Sequence, residues 1–230
     1  MRRTVAALLA FVACSACASE RTPKLPFADA PGTIHAPIYS PPPSPRGVPP
    51  TQLSIPGGIV CNDRRLTGKR IARIPGRIPA CGIANPVKVT AVAGVKLTAP
   101  IRVNCQTASA LADWTEQHAK PAAAKHLNSP LTKIRPVASY ACRTRNHKKG
   151  AKISEHGKGN AVDIAGFTFA NGEQVTVLRG WNGRGGDFLK SVWRSACSDF
   201  GTVLGPNADK YHLDHFHFDT AKHRGGPYCR

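Results

Sequence analysis

Six cysteines, Cys61, Cys81, Cys105, Cys142, Cys197 and Cys229, run from the first third of the chain to its last residue but one, and two more, Cys14 and Cys17, lie near the N-terminus. What they can do depends on the compartment, and the N-terminus speaks to that. Arg2-Arg3 precedes an apolar run over 5–12 and small residues ending in Ala16-Cys17-Ala18, the pattern of an export signal cleaved after Ala18. A buried N-terminal helix is the competing reading, but the run is short, has a basic flank and leads into Pro-rich sequence. Cleavage leaves six cysteines, an even number that in an exported chain implies three disulfides. Among these six no Cys-x-x-Cys pair argues for a cysteine metal site instead, and the pairing stays open. Three cross-links in one domain restrict the fold more than any other feature, and they predict a periplasmic or secreted protein. An envelope lipoprotein acylated at Cys14 or Cys17 is the alternative, although neither has a Leu three positions before it.

The expected organisation is a signal peptide over 1–18, a linker over 19–55 and a folded domain over 56–230. The linker carries Pro41-Pro42-Pro43-Ser44-Pro45 and Pro49-Pro50 with almost no apolar periodicity, so it reads as an extended tether stiffened toward polyproline II. With 41% hydrophobic residues in 230, one domain can build a core. The formal charge is +19, two less without Arg2 and Arg3. That excess favours anionic envelope polymers or head groups as partners, a merely solvated basic surface being the other reading. No basic helix or interleaved aromatic platform points to nucleic acid.

Alternation at Val87 and Val89, Val95 and Leu97, and Ile101 and Val103 predicts short strands. A helix is expected over 107–118 with Pro121 ending it, then a strand over 137–141. Segments 161–169 and 173–178 flank Asn171-Gly172, a two-residue hairpin signal. A second helix over 187–200 carries one apolar stripe from Phe188 to Phe200, and a last strand covers 215–219. The order implies an α+β fold with a mostly antiparallel sheet and flanking helices. Trp114, Trp181 and Trp193 are expected in core or groove packing.

The chemistry lies in Ser154-Glu155-His156-Gly157-Lys158-Gly159-Asn160-Ala161-Val162-Asp163 and His212-Leu213-Asp214-His215-Phe216-His217. Two imidazoles and a carboxylate suffice for a catalytic zinc ion, which keeps its fourth position for water. On a strand, His215 and His217 share one face while Phe216 and Phe218 enter the core. Gly157 and Gly159 let the backbone bend close to the site. His35, His118, His126, His147 and His223 fit no motif.

Together with Ser139-Tyr140-Ala141-Cys142-Arg143 and Tyr228-Cys229, these motifs resemble the bacterial extensin-like C-terminal domain family, which looks like a branch of the zinc D-Ala-D-Ala peptidase, lysostaphin-like and hedgehog-fold group. The resemblance spans roughly 61–229. It implies His156, Asp163 and His217 as zinc ligands, and Asp214 or His215 as the general base, with the balance toward Asp214. Asp214 is one methylene shorter than the glutamate usual there. The resemblance further implies Ser154, Arg143 and His212 as substrate contacts, Arg143 gripping a terminal carboxylate, with Arg145 as its competitor. The function so implied is an exported zinc peptidase acting on peptidoglycan stem peptides or cross-links. The alternative is a non-catalytic zinc-containing wall-binding or structural envelope module.

Overall fold

The structure, a computed structural model, describes residues 58–230; the predicted signal peptide and Pro-rich linker lie outside the described residues. A hairpin of β1 (Gly58–Val60) and β2 (Asp63–Arg70) opens the domain. Its turn places Cys61 and Asn62 at φ of 58° and 57°, the backbone of a primed two-residue turn. β2 escapes sequence reading because its residues are mainly polar. A two-stranded ribbon follows, β3 (Ile74–Pro75) with β4 (Gly82–Ile83), then the hairpin of β5 (Val87–Val92) and β6 (Val95–Val103).

Helix α1 (Cys105–Trp114) begins at Asn104, whose Oδ1 accepts the Thr107 N–H at 2.9 Å, a standard N-cap. Pro121 does not end this helix as expected. A π-helical turn over Thr115–Ala119 intervenes, and Pro121 falls in the first turn of α2 (Lys120–Leu127), where a missing N–H costs nothing. The chain then returns as β7 (Leu131–Ala138), parallel to β6. This strand starts six residues before the predicted one because register shifts within it break the two-residue period.

β8 (Ala161–Phe169) and β9 (Gln174–Thr176) form the expected hairpin, but its loop has three residues, with Phe169 N–H bonded to the Glu173 carbonyl and Gly172 at φ 83°. The strand predicted to run to residue 178 gives way to α3 (Val177–Gly180), capped by Thr176. Helix α4 (Gly186–Ser195), β10 (Thr202–Leu204), β11 (Phe216–Asp219) and β12 (Tyr228–Cys229) complete the chain.

Among the described residues these strands make one ten-stranded sheet in the order β1-β2-β5-β6-β7-β8-β11-β10-β12, with β9 also on β8. Its pairings are antiparallel except β6 with β7 and β10 with β12. The architecture is α+β with a mostly antiparallel sheet. One face is apolar: Val89, Ile101, Ile134, Val162, Ile164, Phe216 and Phe218 join α1, α2 and α4 in a single core. Trp114, fully buried, packs edge-on to Phe218 at 5.2 Å and donates its indole N–H to the Val192 carbonyl at 2.9 Å. The opposite face is left to polar residues, because successive strand side chains alternate. No helix among the described residues is long and apolar enough to cross a membrane.

Among the described residues all six cysteines are paired: Cys61–Cys105, Cys81–Cys142 and Cys197–Cys229. They fasten the first hairpin to the start of α1, the β3–β4 ribbon to the segment after β7, and the end of α4 to β12.

Candidate functional site

β8 and β11 lie side by side, and their register sets Asp163 directly opposite His217, with Val162 opposite Phe218. The Phe–Val pair faces the core, so alternation puts Asp163 and His217 on the helix-free face. His156 arrives from a 3₁₀ turn, Glu155–Lys158, just before β8. Glu155 fixes that turn: its buried carboxylate accepts bonds from Lys158 Nζ at 2.9 Å and Asn160 Nδ2 at 2.7 Å. Gly159 ends it at φ 71°, pressed against Ile83 so that no Cβ would fit.

The protons of the two imidazoles can be placed from their neighbours. His156 Nδ1 lies 2.6 Å from the Ser139 carbonyl oxygen, a pure acceptor, so Nδ1 donates and Nε2 presents its lone pair. His217 Nε2 lies 3.0 Å from Asp219 Oδ2, so Nε2 donates outward and Nδ1 is the atom turned to the centre. These two nitrogens face each other at 3.1 Å, with Asp163 Oδ1 3.1 Å from one and 2.9 Å from the other. All three groups are buried. Three acceptors converging in a buried space repel one another unless a cation sits among them. The donor set, two nitrogens and a carboxylate oxygen within 4.8 Å of one another, suits a zinc ion, and the outward N–H bonds are the kind that orient metal-binding histidines.

A proton can take the same position. Burial works against a charged His217, but hydrogen bonds and charge from Asp163 and Asp219 outweigh it and push its pKa up to about 9. Burial works in the opposite sense on Asp163, and the bonds from His156 and His217 again prevail, holding its carboxyl well below the usual carboxylate range. Asp219 is lowered likewise, its burial outweighed by His217.

His215, just before β11, points Nε2 toward the centre, 3.7 Å from Asp163 Oδ2. Its Nδ1 lies 2.7 Å from Asp214 Oδ1, and the Asp214 side chain is 63% exposed. Asp214 therefore stands behind His215 rather than at the centre, and it orients the ring with Nε2 toward the centre. His212 repeats the device with Asp209, Nδ1 to Oδ1 at 2.7 Å, and its ring sits 5.2 Å from that of His215 and 5.8 Å from that of His217. Burial lowers the pKa of His212 and outweighs the opposing pull of Asp209.

These groups line a cleft of about 360 Å³. Arg143 and Ser154 meet on its wall, the Ser154 N–H bonded to the Arg143 carbonyl at 3.0 Å. Arg143 is half-buried, its guanidinium donates to the Thr144 carbonyl at 3.4 Å, and among the described residues no carboxylate pairs with it. Arg145, its competitor, is tied to Glu155 at 3.9 Å.

Sequence reasoning missed several members. Asp219 carried a readable signal, two residues beyond His217 on the same strand face, and Asp209 stands three before His212. His147, His223, Tyr211 and Tyr228 also reach the cleft, with His223 Nε2 2.9 Å from Thr202 Oγ1, and no sequence spacing marks them.

No curated protein and no solved structure matches the chain. Residues 61–230, most of its length and all of the cleft, match the model of the extensin-like protein C-terminus, and the chain belongs to that family.

Proposed function

We propose that this domain is an exported zinc-dependent peptidase, of the hedgehog and D-Ala-D-Ala-peptidase-like architecture, that hydrolyses amide bonds in peptidoglycan stem peptides or cross-links. One observation carries the reading: His156 Nε2, Asp163 Oδ1 and His217 Nδ1 converge within about 3 Å of one another, with His215 Nε2 beside them. His156, Asp163 and His217 would hold the ion. When bound, zinc supplies Lewis acidity at neutral pH, acidifying water and polarising a carbonyl. His215 Nε2 takes the proton from the attacking water and returns it to the leaving amine, with Asp214 holding the imidazole in register. Arg143 receives the free carboxylate of a peptide end through its planar fork, which favours carboxypeptidase action. Ser154 supplies a hydroxyl on the same wall. Three disulfides accord with export to an oxidising compartment.

The test is digestion of purified peptidoglycan by the zinc-loaded protein, read by mass spectrometry, with Asp163→Asn and His215→Ala alongside. Defined fragments that vanish in both variants support the peptidase. Zinc bound at one per chain and retention on the wall without any fragments would instead support the non-catalytic binding module. A protein that binds no zinc refutes both.

A further inference from the structure

The helix-free face of the sheet carries a second pattern beside the cleft. Between Arg64 and Ser154 the chain has only two carboxylates, Asp113 and Glu116, and both engage Arg65. Over the same span the strands carry cations, all exposed except the half-buried Lys88, that strand pairing brings into register. Lys69 on β2 lies directly opposite Lys88 on β5, and Lys88 lies directly opposite Arg102 on β6. Farther along, Lys96 on β6 faces Lys133 on β7, with Arg135 two residues on. None of the six makes a salt bridge among the described residues, whereas Arg65, Arg145, Lys158 and Arg184 all do.

Like charges directly opposite on neighbouring strands destabilise a sheet. A row of three without counter-charges weakens the fold it belongs to, unless an anion occupies it. The line of the row also has a direction. The Arg102 N–H donates to Ser139 Oγ at 3.1 Å, the carbonyl of that same serine holds His156, and the neighbouring Ala138 pairs with Asp163, which pairs with His217. At ~4.8 Å per strand, the row from β2 to the acceptor cluster on β8 spans roughly 19 Å on one face.

We propose that Lys69, Lys88 and Arg102 form a docking track for a carboxylate-bearing glycan–peptide polymer, which they hold while one of its peptide ends enters the cleft. The polymer is peptidoglycan if the domain is the peptidase proposed above; the track itself rests on charge and register. The cluster Lys96, Lys133 and Arg135 widens the same field.

The experiment is co-sedimentation of the full protein with insoluble peptidoglycan over a salt series. Wild type is compared with Lys69→Gln/Lys88→Gln/Arg102→Gln and with Lys125→Gln/Lys190→Gln/Arg194→Gln, which removes the same charge from the helix side, where those residues line another cleft. At about 0.05 M salt the track variant should bind on the order of a hundredfold more weakly, with a shallower salt dependence, while the helix-side variant binds within a few-fold of wild type. Thermal unfolding of the track variant should be unchanged or improved, since repulsion is relieved. Cleavage of a short soluble stem peptide should be unaltered. Equal losses in both variants would reduce the effect to net charge and overturn the track. Undiminished binding by the track variant, or wild-type binding to phosphodiester polymers or anionic vesicles but not to peptidoglycan, would overturn it as well. Track-dependent binding with no hydrolysis by wild type would sink the peptidase reading and leave the track standing.

Discussion

Removing any bound metal should make this protein lose stability as the solution turns alkaline, and adding zinc should cancel that loss. Without a metal, the three converging acceptors are satisfied by a proton on His217, whose pKa stands at about 9 in the fold against about 6.5 for an ordinary histidine. A folded-state value above the unfolded one means the stabilisation is complete below pH ~6.5 and disappears as pH rises through about 9. Each unit corresponds to 1.36 kcal/mol, so the loss approaches ~3 kcal/mol, or a fall of roughly 6–12 °C in Tm for a domain of this size. Asp163 and Asp219, both held low, act in the opposite window: their contribution is present above pH ~4 and is lost as acid protonates them. The chelated protein should therefore be most stable between about pH 4.5 and 6.5. Zinc binds the form that the proton vacates, so its stabilisation should grow over the range in which the chelated protein weakens. Calorimetry or circular dichroism melts from pH 5 to 9.5, with chelator and with zinc, measure both curves. Asp219→Asn, which removes one of the two carboxylates supporting the proton, should move the fall to lower pH. A chelated protein whose Tm stays level from pH 6.5 to 9.5 would refute the assignment of His217 Nδ1 as the shared acceptor.

Other expectations concern single side chains. His215→Ala should lower peptide cleavage by roughly 10²–10⁴-fold at unchanged zinc content, and Asp214→Asn by less, with a shifted pH profile, since it acts through His215; steady-state kinetics and metal analysis separate the two. Arg143→Ala should raise KM by roughly 10–100-fold for peptides with a free C-terminal carboxylate and leave amidated ones unaffected, with Arg143→Lys only partly restoring the difference. Gly159→Ala should destabilise the fold by about 1–3 kcal/mol in denaturant titrations and weaken zinc binding, because the positive φ and the contact with Ile83 would displace the His156 turn. Trp114→Ala, in the core rather than the cleft, should cost about 3–5 kcal/mol without changing how zinc affinity depends on pH.

Much of the candidate site was legible in the chain. The strands that carry Asp163 and His217 were each readable by alternation, as were the core positions of Phe216 and Phe218, but the register that sets Asp163 opposite His217 was not. The Asn171-Gly172 turn was legible too, though its loop length depends on the Phe169–Glu173 bond, which sequence does not display. β2 was not legible, because a strand rich in arginine and lysine has no apolar period until its neighbours are known. The role of Pro121 was hidden for a related reason: the helical backbone continues through a π-helical turn just before it, so the proline is accommodated instead of ending the helix.

Residue types and short-range spacing are properties of the chain, and from them came the set of chemically able groups, the number of disulfides and the strands on which His217 and Asp163 stand. Which groups meet is a matter of contacts between segments far apart in the sequence. Cys61 finds Cys105, and Cys81 finds Cys142, only because the sheet order carries them together. In one dimension Asp214 and His215 are both candidates, with the balance toward Asp214; in three, a 2.7 Å bond places the carboxylate behind the imidazole. Lys69, Lys88 and Arg102 are unremarkable surface cations until strand register sets them in line. Local periodicity decides which face a side chain takes, while register between distant strands decides its neighbours, and the chemistry of a site depends on those neighbours.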